Sequence, residues 1–231
     1  MNAEYAGRDN LEAMLEARRY NEHLLSMVRN VLHGGEVIVD FGAGIGTFAR
    51  ALAAEGHSVR CVEPDPAQSA LIRDAGLTAQ PSLQSLPAAS ADVIYTFNVL
   101  EHIQNDGDTM RELYGAIKPG GLLVVYVPAF PLLFSSMDRM VGHFRRYKRG
   151  DLRSKLEAAG FEVETVRYVD SVGFAVTLLY RLLGNDDGKI DASAVAIYDR
   201  WIFPVSVVAD RVLSSFVGKN VMAIARRPRT D

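Results

Sequence analysis

The sequence predicts an α/β fold, a parallel sheet with helices on both faces. Two observations point there. Short apolar runs alternate with helix-like patterns along most of the chain, at the spacing that parallel crossovers require. A glycine-rich turn, Asp40-Phe41-Gly42-Ala43-Gly44-Ile45-Gly46, lies between the first such run and the helix after it.

Residues 10–33 carry Leu11, Met14, Leu15, Tyr20, Leu24, Leu25, Val28 and Leu32 at roughly helical spacing and stop at Gly34-Gly35. This reads as an N-terminal helical cap over 10–35. Val37-Ile38-Val39-Asp40 is a buried strand entering a tight turn. Ile45, Phe48, Ala49 and Leu52 follow at i, i+3, i+4 and i+7, a helix ended before Gly56. Residues 58–62 read as the next strand. Asp65 before Pro66 is a helix start, the side chain capping and the proline pre-setting the first turn. That helix runs to Gly76. Residues 92–97 are an apolar strand, 109–117 a helix closed by Pro119-Gly120-Gly121, and 122–127 the most β-prone run of the chain. A helix over 151–159 stops at Gly160, and 161–169 alternates as a strand.

The ending breaks this rhythm. Two apolar helical stretches occupy 170–219, joined by the polar hinge Asn185-Asp186-Asp187-Gly188-Lys189. The second sets Val195, Tyr198, Ile202, Val205, Val208, Val212 and Phe216 on one face and meets Pro204, which should kink or split it. A short strand over 220–225 and a basic tail follow.

At 231 residues and 25.3 kDa, the chain fits a single domain, 1–231, with 170–219 as an insertion. Hydrophobic residues at 48% and charged residues at 23% exclude disorder. A net charge of −3 gives no general attraction to nucleic acid or anionic membranes. Cys61 is the single cysteine, so no internal disulfide forms, and no Cys/His spacing suggests a metal. Met1-Asn2-Ala3-Glu4 opens no basic-then-apolar leader, and the longest apolar stretch, 172–180, is far short of the ~20 residues of a membrane span. A soluble cytoplasmic protein is expected; peripheral membrane contact, and monomer or homodimer, stay open.

The glycine turn would let a ligand approach the backbone at a helix N-terminus. A nicotinamide dinucleotide would want Gly or Ala at position 47, where Thr47 stands. Asp40, two residues before Gly42, would repel a pyrophosphate but attract a ligand with an ammonium and a sulfonium. S-adenosylmethionine (SAM) carries both. Glu63 closes the second strand, where an acid accepts hydrogen bonds from ribose hydroxyls.

With these residues in place, the chain resembles class I SAM-dependent methyltransferases. VIVDFGAGIGTFA (37–49), VRCVEPD (59–65), ADVIYTFNVLEHI (91–103) and IKPGGLLVVYVPA (117–129) look like that family's successive motifs, in order. The resemblance implies a Rossmann-like, seven-stranded, mostly parallel sheet whose last strand, 220–225, is antiparallel. It implies Asp40, Gly42 and Gly44, with Ala43 between them, on the methionine side of SAM. Glu63 matches the ribose acid, Pro64 and Asp65 lie near the adenine, and Asn98 faces the methionine moiety. Ser82-Leu83 stands where the family often has an Asp-Ala pair contacting the adenine. The implied product is S-adenosyl-L-homocysteine.

Methyl transfer to a hydroxyl can need a base, most often His. His23, His33 and His57 read as surface residues. His102, directly after the fourth strand, and His143, just past the fifth, are the catalytic candidates. His143 belongs to Asp138-Arg139-Met140-Val141-Gly142-His143-Phe144-Arg145-Arg146-Tyr147, which resembles the Gly-His-x-Arg-Arg-Tyr signature of one methyltransferase subgroup, some members of which are fused to or neighbour glycosyltransferases. Tyr20-Asn21 is similar to that subgroup's opening, while Lys148 departs from its usual Thr. Tyr20, Arg146 and Tyr147 are the substrate candidates; Arg145 or Arg146 would grip an anionic group. From Arg139 to Lys155 there are seven Lys/Arg against one acid, Asp151. That patch is too short for nucleic acid and has no stacking aromatics with it.

The expected activity is O-methylation of a hydroxyl or carboxylate on a small or amphipathic metabolite, with 170–219 as a substrate lid. N- or C-methylation of a natural product or a glycan- or lipid-linked intermediate stays open, as does a SAM-binding module without turnover.

Overall fold

The computed structural model describes residues 16–182 and 192–229. Its strands are β1 (Val37–Phe41), β2 (Ser58–Val62), β3 (Thr78–Gln80), β4 (Ala91–Phe97), β5 (Ile117–Pro128), β6 (Glu162–Val169) and β7 (Asn220–Arg226). They form one sheet in the order β3-β2-β1-β4-β5-β7-β6. All neighbours pair in parallel except β7, which is antiparallel to both β5 and β6.

Successive residues of a strand face opposite ways, and the core divides accordingly. Val39 faces a cluster holding Leu113 and Met110 of α4 (Asp106–Ala116) and Leu152 and Leu156 of α6 (Arg149–Ala158). Ile38 faces the other, with Leu24 and Val28 of α1 (Arg18–Arg29), Leu52 of α2 (Thr47–Ala54) and Ile72 of α3 (Pro66–Asp74). A short α5 (Ser136–Met140) follows β5.

Several boundaries differ from the sequence expectation. α1 ends at Arg29, short of residue 33, and Leu11, Met14 and Leu15 lie outside the described residues. α2 starts at Thr47 because Gly46, at φ 80°, turns the chain left-handed just before it. α4 begins at Asp106 and yields to β5 at Ile117, ahead of the Pro119-Gly120-Gly121 expected to separate them. β3 was not anticipated: its three residues sit half-exposed at the sheet edge. Asp65 caps α3 as expected, its Oδ1 accepting the Ala67 and Gln68 amides at 2.8 and 3.0 Å.

Between β6 and β7 lie α7 (Ser171–Leu182), α8 (Ala192–Ile197), a π-helical turn (Tyr198–Ile202) and α9 (Phe203–Leu213). The hinge 185–189 is outside the described residues. Pro204 splits the second stretch without ending it: the π turn precedes it, and Pro204 is the second residue of α9. Two buried acids anchor the insertion. Asp210 accepts the Asp170 and Ser171 amides at 2.7 and 2.9 Å, and Asp170 Oδ1 accepts the Ser206 hydroxyl at 2.7 Å. A third, Asp199, accepts the Arg19 and Tyr20 amides at 3.0 and 2.8 Å, satisfying donors that the start of α1 leaves over. No helix among the described residues is long and apolar enough to cross a membrane.

Candidate active site

β1, β2 and β4 run parallel, with Phe41 paired to Val62, so the glycine turn, Glu63 and Asn98 emerge at one carboxyl edge of the sheet. Parallel sheets bind ligands at that edge. A cavity of about 320 Å³ opens there, lined by Tyr20, Asn21, Leu24, Gly42, Gly44, Thr47, Phe48, Glu63, Pro64, Asp65, Gln68, Phe97, Asn98, Val99 and His102.

Its floor is backbone. The Gly42 and Ala43 amides donate to Val62 O at 2.8 and 3.2 Å, folding the turn onto β2. Gly42 has φ 76°, and a Cβ there would run into the Val99 methyl groups, so only glycine fits. Glu63 closes the turn: Oε2 accepts the Gly44 amide at 2.8 Å and Oε1 the Asp65 amide at 2.9 Å. Burial raises its carboxyl above the usual range, against those two hydrogen bonds. Asn98 adopts φ 54°, a left-handed conformation that asparagine tolerates, and its amide donates to Tyr126 O at 2.8 Å. A half-buried backbone turn, a carboxylate and an amide around one cavity suit a nucleoside with an amino-acid tail.

The remaining expected cofactor residues sit differently. Asp40, 3% exposed, is paired in register with Tyr95 inside the sheet and does not line the cavity. Burial first, then the charge of Glu63, pushes its carboxyl up to about 7. Ala43 is buried behind the turn. Leu83 is in the core, and Ser82 Oγ lies 3.4 Å from Ser85 Oγ; neither borders the cavity.

The two catalytic candidates meet. The rings of His102 and His143 stand edge to face with centroids 4.5 Å apart. His102 lines the cavity and His143 lies behind it, its Nδ1 2.8 Å from Asp138 Oδ1. Burial and the neighbouring His143 lower His102 to about 4, so its imidazole is neutral at pH 7. Asp138 is 1% exposed; burial would raise it, but hydrogen bonds from His143 and Arg146 hold its carboxyl well below the usual range. Glu101, fully buried, has both carboxylate oxygens without a hydrogen-bond partner, and Oε1 is 3.9 Å from His143 Nε2. Burial pushes this carboxyl up to about 8.

Arg146 and Tyr147 do not reach the cavity. Arg146 grips Asp138 with Nε and Nη2 at 2.8 and 3.0 Å. Tyr147 is buried and donates to Asp106 Oδ2 at 2.9 Å. Arg145 also pairs with Asp106, at 2.5 Å. Tyr20 does line the cavity, between Tyr126 and Phe203, with ring centroids at 6.0 and 5.5 Å. His23, expected at the surface, packs edge to face on Phe203. Sequence reasoning did not single out Glu101 and Asp138 as site residues; their signal was adjacency to His102 and membership of the His143 segment. None of the insertion's described side chains lines this cavity.

The family described as methyltransferase domain matches residues 7–166. An uncharacterized methyltransferase of Mycobacterium leprae is 27% identical over 206 residues, 83% of this chain and 72% of the relative. A SAM-dependent methyltransferase of Thermotoga maritima superposes with TM-score 0.63 at 17% identity, covering 94% of each chain. Haemonchus contortus phosphoethanolamine N-methyltransferase 2, solved with S-adenosyl-L-methionine, does so with TM-score 0.63 at 18% identity over 91% of this chain and 53% of that one. The two solved structures establish the fold alone, and the family match extends it to activity: the chain belongs to the methyltransferase domain family and is an S-adenosylmethionine-dependent methyltransferase.

Proposed function

We propose that the protein methylates an oxygen, of a hydroxyl or carboxylate, on a small or amphipathic metabolite. The observation that carries this reading is one cavity bordered by Glu63 and Asn98 and also by His102, against which His143 packs from behind. Glu63 accepts the ribose hydroxyls, Pro64 and Asp65 flank the base, and Asn98 with the Gly42–Gly44 backbone takes the amino-acid end. Asp40 acts from beneath the turn by the charge it carries above about pH 7, and Ser82 and Leu83 shape the wall beyond the cavity. SAM supplies an electrophilic methyl group there.

The chain's own residues position the acceptor in line and keep water out. His102 faces the acceptor oxygen and, with His143 behind it, orients it. Asp138 fixes His143, and Arg146 fixes Asp138. Tyr147 supports the segment from within. Tyr20 forms the opposite wall and is held through α1 by Asp199.

The amphipathic part of the reading rests on the insertion. Trp201, Val205, Val208 and Val212 are 66%, 58%, 60% and 74% exposed, an apolar stripe of the kind that receives apolar ligands. The test is SAM turnover on matched hydroxyl, carboxyl and amine acceptors, read as S-adenosyl-L-homocysteine released. Turnover with oxygen acceptors supports the reading; turnover with amines alone ends it.

A further inference from the structure

Glu101, His102 and His143 each bring one ligand atom to a common point, all within 4.8 Å of one another. We propose that these three residues bind a single divalent transition-metal ion beside the cavity. The inference rests on the oxygen-methylation reading and supplies its missing part, the means of activating the acceptor.

Four features support it. Two imidazoles and one carboxylate are a known catalytic donor set for zinc. Ligand atoms about 2.1 Å from one metal lie at most about 4.2 Å apart, so small side-chain rotations close the set. Each histidine is also oriented as a metal ligand is, with its other ring nitrogen spent on an acceptor. His143 Nδ1 faces Asp138 at 2.8 Å, leaving Nε2 towards Glu101, and His102 bonds the Val141 backbone carbonyl.

The Glu101 carboxylate is the independent observation. It is 0% exposed, and neither oxygen has a hydrogen-bond partner. A buried, unpartnered carboxyl is costly and calls for a counter-ion or a proton. Arg146, the nearby cation, is already taken by both oxygens of Asp138.

His102 lines the cavity, so a metal held there keeps an open position towards it. The ligand class is therefore an oxygen acceptor able to coordinate a cation. Coordination lowers the pKa of a hydroxyl. The acceptor O–H gives its proton to solvent, the oxygen–methyl bond forms, and the methyl–sulfur bond breaks with its electron pair going to sulfur.

The test uses the full chain, stripped with chelator and titrated with Co²⁺ by calorimetry and visible absorption. The expected result is one Co²⁺ per chain with d–d bands. His143→Ala and Glu101→Gln should abolish both signals, and Asp138→Asn should weaken binding by about 10–100-fold. Chelator should also suppress methyl transfer to an oxygen acceptor, with Zn²⁺ or Co²⁺ restoring it. No stoichiometric uptake, or uptake unchanged in folded Glu101→Gln, overturns the site. Uptake with transfer indifferent to chelator overturns its role in the reaction. Turnover on the hydroxyl, carboxyl and amine acceptors separates the two readings: turnover with amines alone sinks the underlying one, and turnover with oxygen acceptors without metal uptake sinks only this one.

Discussion

Asp199 accepts the Tyr20 backbone amide at 2.8 Å, joining the insertion to the helix that walls the cavity. The acid lies in the π turn, and Tyr20 sits in the first turn of α1. Ala17, at the N-cap of α1, makes no side-chain cap of its own, so Asp199 does the capping from across the fold. Asp199→Ala should cost about 1–2 kcal/mol of stability and raise KM for the acceptor by loosening Tyr20. Urea denaturation and steady-state kinetics measure the two effects. A variant with the lost stability but unchanged KM would detach Tyr20 from substrate binding.

Glu63→Ala should weaken SAM at least about tenfold, since hydrogen bonds to a charged acceptor are worth about 1.5–3 kcal/mol each. It should also lower stability, because the Gly44 and Asp65 amides lose their acceptor. Calorimetry on the folded variant reads the first effect. An unchanged dissociation constant would reject the ribose assignment.

Asp40 predicts a pH dependence. Its carboxyl, pushed up to about 7 by burial, faces Tyr95, Glu63 and Cys61 and meets no cation among the described residues. In the unfolded chain its pKa is about 3.9. Between these values the folded state holds a proton that the unfolded state lacks. Stability from this group is thus full below pH 4, falls as pH rises to about 7, and levels off above. Asp40→Asn should remove that slope, gaining on wild type by a few kcal/mol at most, about 2–4, between pH 5 and 8. Parallel pH profiles of urea midpoints in the two proteins would show that Asp40 titrates normally.

Buried features were the legible ones. β2 has the bounds read from sequence and β1 and β4 each run one residue longer, because apolar runs ended by an acid or by Asn98 leave little choice of strand. The cap at Asp65 was readable because both halves of the signal, acid and proline, are local. β3 was not, since three half-exposed residues carry no period. The His102–His143 contact joins residues far apart in sequence, so spacing could suggest each histidine but not the pair or its metal-like geometry. Arg146 looked like a substrate grip because its partner, Asp138, is brought to it only by the turn of α5.

The insertion turns two of its acids away from its apolar surface. Asp199 and Asp210 turn inward onto backbone amides, while Arg200 and Arg211 stay exposed beside Trp201, Val205, Val208 and Val212. Those four recur at i, i+4, i+7 and i+11, one helical face. Phe203, on the inner side, packs against Tyr20 and so links this face to the cavity. If the stripe receives the apolar part of an acceptor, truncating it should act on long-chain substrates only. Trp201→Ser combined with Val208→Ser removes two exposed side chains, which should change stability by no more than about 0.5 kcal/mol each and leave SAM affinity unchanged. Full burial of such side chains is worth about 1.5–3 kcal/mol each, and partial burial against a flexible chain less. KM for a long-chain hydroxyl acceptor should therefore rise about tenfold or more, while KM for a short water-soluble analogue stays put. Equal KM for both acceptors in variant and wild type would leave the stripe without a part in substrate binding.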